Sequence, residues 1–124
     1  MLSDFAGLLA RLPDIPYRSP FSFRRNTTVG IGGEAPLALF PRGGEEIVSA
    51  LREVQRAGFP YVLLGRGSNV LVSDGGFDGV VIATALARAI RAENGLIVAE
   101  CGVALSALLR FAAENDLGGL EYLA

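Results

Sequence analysis

An apolar run from Ala35 to Phe40, a helix-spaced pattern from Glu45 to Ala57 and a second apolar run from Tyr61 to Leu64 follow one another with short breaks between them. That order constrains the fold more than any other stretch of the chain. Ala35-Pro36-Leu37-Ala38-Leu39-Phe40 reads as a strand whose proline places it near a sheet edge or at a strand start. Ile47, Val48, Leu51 and Val54 recur at helical spacing, Glu45 and Glu46 sit in the first turn where the helix dipole favours negative charge, and Gly58 supplies a C-terminal cap. Strand, helix and strand make a βαβ unit, and open α/β sheets bind ligands at the C-terminal ends of their strands. At that end stands Gly65-Arg66-Gly67-Ser68-Asn69-Val70.

A glycine-rich turn after a strand suits an anion. Without a Cβ, Gly65 and Gly67 have access to positive φ and allow close backbone approach, the N–H groups of the turn can point at a phosphate, and Ser68 and Asn69 add side-chain hydrogen bonds. Two standard phosphate motifs are excluded. A P-loop needs a lysine after its last glycine, and this chain contains no lysine; a dinucleotide fingerprint needs a third glycine where Val70 stands. Taken alone, the turn is as compatible with an ordinary loop as with a phosphate cradle.

On the N-terminal side, Ser3 to Leu12 reads as a short amphipathic helix forming an outer flap, capped by Ser3, with Leu8, Leu9 and Leu12 on one face and Pro13 and Pro16 ending it. Asp14 to Phe23 lacks either period and reads as an extended connector. Asn26 to Gly33 reads as a turn whose Gly32-Gly33 allows close packing against a ligand or another backbone. On the other side, Val70-Leu71-Val72 and Gly79-Val80-Val81-Ile82 read as short strands around the loop Ser73 to Asp78. Asp74 and Asp78 are turn formers there, since the further ligands of a calcium loop are missing. Asn94-Gly95, between Ala89–Ala92 and Leu96–Glu100, is a type I′ hairpin signal that starts a second small sheet. Ala104 to Glu114 reads as a helix on Leu105, Leu108, Leu109 and Ala112. The closing Gly-Gly-Leu-Glu-Tyr-Leu-Ala has the look of a connection into further structure, so a truncated chain is expected.

The residues that are missing narrow the chemistry. With no histidine and the single cysteine Cys101, neither a disulfide, a Cys/His zinc site nor a histidine-based triad can be assembled. Cys101 reads as a buried inert thiol, and Glu121 and Tyr122 as surface and packing residues. A net charge of -2 with scattered arginines argues against nucleic acid. A 51% hydrophobic composition fits a packed domain, no apolar run is long enough to cross a bilayer, and no secretory leader is visible, so a cytoplasmic location is the default expectation.

The motifs in their order carry a further resemblance. Asn26-Thr27-Thr28-Val29-Gly30-Ile31-Gly32-Gly33, Leu64 to Asp74 (LGRGSNVLVSD), Gly102-Val103 and Gly119 to Ala124 closely resemble the N-terminal part of the UDP-N-acetylenolpyruvoylglucosamine reductase (MurB) family. The resemblance implies an α+β (α/β) chain with two small subdomains of the vanillyl-alcohol-oxidase or PCMH-type FAD-binding fold. Residues 1–25 would be the N-terminal helix and connector, 26–85 the first FAD-binding subdomain and 86–124 an incomplete second one. It also implies FAD as cofactor, its pyrophosphate cradled by Gly65, Arg66, Gly67, Ser68, Asn69 and Val70. In the family, NADPH reduces the flavin and the flavin reduces the enolpyruvyl ether of a UDP-sugar to give UDP-N-acetylmuramate for peptidoglycan. The serine acid, glutamate and arginine of that reaction lie in later segments, so no catalytic residue maps onto residues 1–124 and the chain alone is expected to be inactive. Two alternatives remain open: the FAD domain of another oxidoreductase with this fold, and a small α/β interaction module without cofactor. An exposed half-core would favour self-association.

Overall fold

The computed structural model describes residues 2–26, 30, 32–65 and 74–119. Its centre is a four-stranded sheet with strand order β1-β4-β6-β5, built from β1 (Tyr17–Arg18), β4 (Leu37–Leu39), β6 (Val80–Ala83) and β5 (Tyr61–Leu64). β6 lies between β4 and β5 and runs parallel to both, pairing Leu37 with Val80 on one side and Tyr61 with Val80 on the other. The strand-helix-strand unit read from the sequence is therefore present, but its two strands are not neighbours. β4 is also interior, so Pro36 marks a strand start and not an edge.

The two central strands are apolar on both faces, as parallel strands covered on each side must be. Alternation sorts their side chains. Leu37, Leu39, Val80 and Ile82 enter one core with Ala50 and Val54 of the helix α3 (Gly44–Ala57). Ala38 and Val81 face the other way, into a second core with Phe21, Phe23, Ala35 and Leu64. The helix α3 is formed as expected, with Gly58 at φ 79° as its C-terminal cap. Arg42 and Glu46 clamp its first turn at 3.0 Å, and Arg42 holds the Glu46 carboxyl below the ordinary carboxylate range, chiefly through the side-chain hydrogen bond.

The N-terminal segment is more deeply involved than a flap. A 3-10 turn (Leu2–Phe5) precedes the helix α1 (Ala6–Arg11), so the residue at the cap is Phe5 and not Ser3. Phe5, Leu8, Leu12 and Ile15 are buried in the same core as the central strands. The expected connector also has structure. Tyr17–Arg18 forms β1 against β4, and β2 (Phe21–Ser22) pairs with β3 (Glu34–Ala35), with a cis Ser19–Pro20 bond between β1 and β2. The short helix α2 (Phe23–Asn26) follows β2. Two-residue strands are too short to show a period, which is why the sequence pattern missed them.

Gly33 packs against another backbone. A Cβ there would meet the Asp74 carbonyl, and Gly76, at φ +81°, in turn leaves no room against the Glu34 backbone, while the Phe77 N–H donates to the Glu34 carbonyl at 3.1 Å. The second unit begins with the hairpin β7 (Ile90–Glu93) and β8 (Leu96–Ala99). Asn94 and Gly95 both have positive φ, 52° and 76°, as the type I′ turn demands. Helix α4 (Leu105–Glu114) follows, on the expected span. Among the described residues no helix is long and apolar enough to cross a membrane.

Gly76→Ala tests the backbone contact: the added methyl collides with Glu34 and forces a positive-φ alanine, so the expected cost is about 2–3 kcal/mol in urea unfolding. A loss below about 0.5 kcal/mol would show that the loop yields freely.

Candidate functional site

The C-terminal ends of β4, β6 and β5 emerge at one end of the sheet, and three structural features converge there. The first is Gly65, which directly follows β5. It is exposed, and a Cβ built on it meets no described atom within 4 Å. Its backbone does not use the left-handed region to which a glycine has access. Arg66, Gly67, Ser68, Asn69 and Val70 lie outside the described residues, as do the expected strand Val70–Val72 and the pair Glu121 and Tyr122.

The second feature is the stitched end of β5 and β6. The Thr84 N–H donates to the Leu64 carbonyl at 2.9 Å and its hydroxyl to the same oxygen at 3.4 Å, which satisfies a buried polar residue. Gly65 is thus carried by a strand whose last carbonyl is tied to its neighbour.

The third is the joint between the sheet and the hairpin unit. Gly102 donates to the Ala87 carbonyl at 2.8 Å and has no room for a side chain against Thr84 and Ala87, so the two chain segments touch backbone to backbone. Glu100 completes the joint. One carboxylate oxygen accepts the Gly44 N–H at 2.7 Å and the other accepts the Ala89 N–H at 2.8 Å. The carboxylate thereby caps the N-terminus of α3 from a different unit, where the helix dipole favours it. Its pKa is held below the ordinary value of 4.5 by the hydrogen bond from Ala89 and then by that from Gly44.

Other residues singled out by the sequence fall elsewhere. Cys101 is exposed and not buried: Gly102 takes the inward position of this turn, and Cys101 is turned to solvent. Asn26 has a local task, donating to the Ser22 carbonyl at 2.6 Å and accepting from Arg18 at 3.1 Å. Thr27, Thr28, Val29 and Ile31 lie outside the described residues. Asp74 and Asp78 line a common groove, but among the described residues no group of three His, Cys, Asp or Glu could hold a metal. Sequence reasoning missed Glu100, because nothing in a glutamate at a strand end announces a partner 56 positions away.

Set against known proteins, residues 35–122 match the family profile described as FAD binding domain. UDP-N-acetylenolpyruvoylglucosamine reductase of Caldicellulosiruptor saccharolyticus is 43% identical over 96 residues, covering 77% of this chain and 31% of that protein. The enzyme of the same name from Syntrophobacter fumaroxidans is 37% identical, covering 94% of this chain and 36% of its own length. The chain therefore spans about a third of the length of these relatives. Among solved structures, p-cresol methylhydroxylase with substrate bound superposes with a TM-score of 0.62 at 12% identity, over 94% of this chain and 26% of that one. That likeness shows the PCMH-type fold, in agreement with the α+β expectation.

The Glu100 joint has a pH signature. Because its folded pKa lies below the unfolded value, the carboxylate stabilises the fold fully above about pH 4.5 and the contribution is lost as pH falls through the folded pKa. Glu100→Gln is expected to lower the melting temperature at pH 7 and to narrow its gap from the parent chain below pH 4. A gap that stays constant with pH would show that the charge has no part in the joint.

Proposed function

Because the chain belongs to the FAD-binding domain family and shares its motifs with the N-terminal FAD-binding portion of UDP-N-acetylenolpyruvoylglucosamine reductases, we propose that it is the cofactor-holding part of such a reductase. The observation that carries the reading is the position of Gly65: a glycine at the C-terminal end of a parallel strand whose last carbonyl is tied to Thr84, beside the joint between two small units. A diphosphate needs the close backbone approach that a glycine allows, and a cofactor spanning two units needs a fixed joint between them.

In this reading residues 26–85 form the first FAD-binding subdomain and 86–124 belong to the second, with residues 1–25 sealing the core of the first. Gly65, Arg66, Gly67, Ser68, Asn69 and Val70 form the pyrophosphate cradle. Backbone N–H groups and the Ser68 and Asn69 side chains donate hydrogen bonds, and Arg66 adds a charge-assisted one. When bound, the flavin supplies the hydride chemistry by which NADPH reduces the enolpyruvyl ether of a UDP-sugar. The chain's own contribution is to bind and orient the cofactor. No residue of 1–124 is assigned to proton transfer, which fits a chain without histidine in which Glu46 and Glu100 are engaged in structural contacts. The chain alone is accordingly inactive as a reductase in this proposal, and it works in the cytoplasm, where the UDP-sugar is made. Leu96, Val98 and Leu105, exposed by 40–67%, are the apolar surface through which isolated copies would associate.

The test is a titration of the chain with FAD, following flavin fluorescence and co-elution. Saturable binding is expected, weakened by about tenfold or more in Gly67→Asp, whose carboxylate would face the diphosphate. Equal binding by both chains would remove the cradle assignment.

A further inference from the structure

A second feature of the surface points to an anion. Arg18 on β1 and Arg24 and Arg25 on α2 line one cleft of about 680 Å³ together with Ser22, Asn26 and Glu34. Among the described residues, three arginines and one carboxylate, Glu34, thus line this cleft in a chain whose net charge is -2. The ion pairs found among the described residues engage Arg11, Arg42, Arg56 and Arg91, and leave these three arginines out.

The cleft wall is held in place. The Arg18 guanidinium donates to Asn26 Oδ1 at 3.1 Å and lies over the Phe40 ring, 5.6 Å from its centroid. Asn26 Nδ2 donates to the Ser22 carbonyl at 2.6 Å, and Ser22 Oγ accepts the Arg25 N–H at 3.2 Å. One guanidinium is therefore oriented before any ligand arrives, which lowers the ordering cost of binding. Planar N–H forks match phosphate oxygens, and a volume of this size admits a small phosphate ester.

The location separates this cleft from Gly65. β1 and β5 are the two outer strands of the sheet, three strand spacings or about 14 Å apart. Ser22 and Glu34 pair with each other ahead of the start of β4, at the opposite end from the C-terminus of β5. A single diphosphate cannot reach both places.

We propose that the Arg18–Arg24–Arg25 cleft binds a phosphate-bearing small molecule other than the flavin, with a diphosphate as the recognised group. Inorganic pyrophosphate is the probe, titrated calorimetrically into the chain with and without FAD. Saturable binding is expected, undisturbed by FAD, and weakened about tenfold or more in Arg24→Gln/Arg25→Gln, while the exposed control pair Arg52→Gln/Arg110→Gln changes it less than about twofold. Glu34→Gln removes the carboxylate that lines the cleft and is expected to tighten binding, a gain that misfolding cannot produce. Absence of saturable binding, equal loss in the two arginine pairs, no gain in Glu34→Gln, or displacement of pyrophosphate by FAD would each overturn the proposal.

Discussion

Parallel pairing of β4 with β6 leaves two strands without a polar face, and the rest of the molecule is arranged to cover them. All three residues of β4 have no exposed surface, and neither do Val80, Val81 and Ile82 of β6. Burying such strands on one side alone would leave half their apolar area in water, so both faces need a layer. Helix α3 and the N-terminal Phe5, Leu8, Leu12 and Ile15 close one face, and Phe21, Phe23 and Leu64 close the other. This requirement draws the N-terminal segment into the core.

Covering both faces leaves the strand ends as the place where function can be built. At the C-terminal end, β4 leads into α3, β5 leads into Gly65, and β6 leads through Thr84 into the hairpin unit. The joint there is polar: a carboxylate shared between two backbone N–H groups, and a glycine with no space for a side chain. Such contacts fix geometry without burying much area. At the other end, the backbone contact of Gly33 with Asp74 and Gly76 leaves no comparable opening, and the arginine cleft lies beside it on the β1 edge.

Much of this was legible where side-chain periodicity is long enough to read. The helix over 44–57, its glycine cap, the strand 61–64, the Asn94-Gly95 hairpin and the helix over 105–114 all follow from spacing and turn chemistry. Strand order did not, because local pattern carries no information about β6 entering between β4 and β5. Two-residue strands at Tyr17 and Phe21 were invisible for lack of a period, and the Ser3 cap was displaced by a 3-10 turn. Cys101 was misplaced because hydrophobicity ranks cysteine as a core residue, whereas its neighbour Gly102 had the inward position. Of the glycine-turn residues, Gly65 alone lies among the described residues, and its backbone is outside the left-handed region. Glu100 depended on a partner far along the chain, and the family resemblance came from motif order, which the FAD binding domain match supports.

The central claim is that FAD lies along the C-terminal ends of β4, β6 and β5 at the joint with the hairpin unit. Amide chemical shifts of the isotopically labelled chain, followed as FAD is added, test it most directly. The account predicts saturating shifts at Gly65, Thr84, Gly44 and Gly102, with Gly95 at the hairpin tip unmoved. Shifts gathered at Ser22 to Asn26, or confined to the hairpin tip, would contradict it.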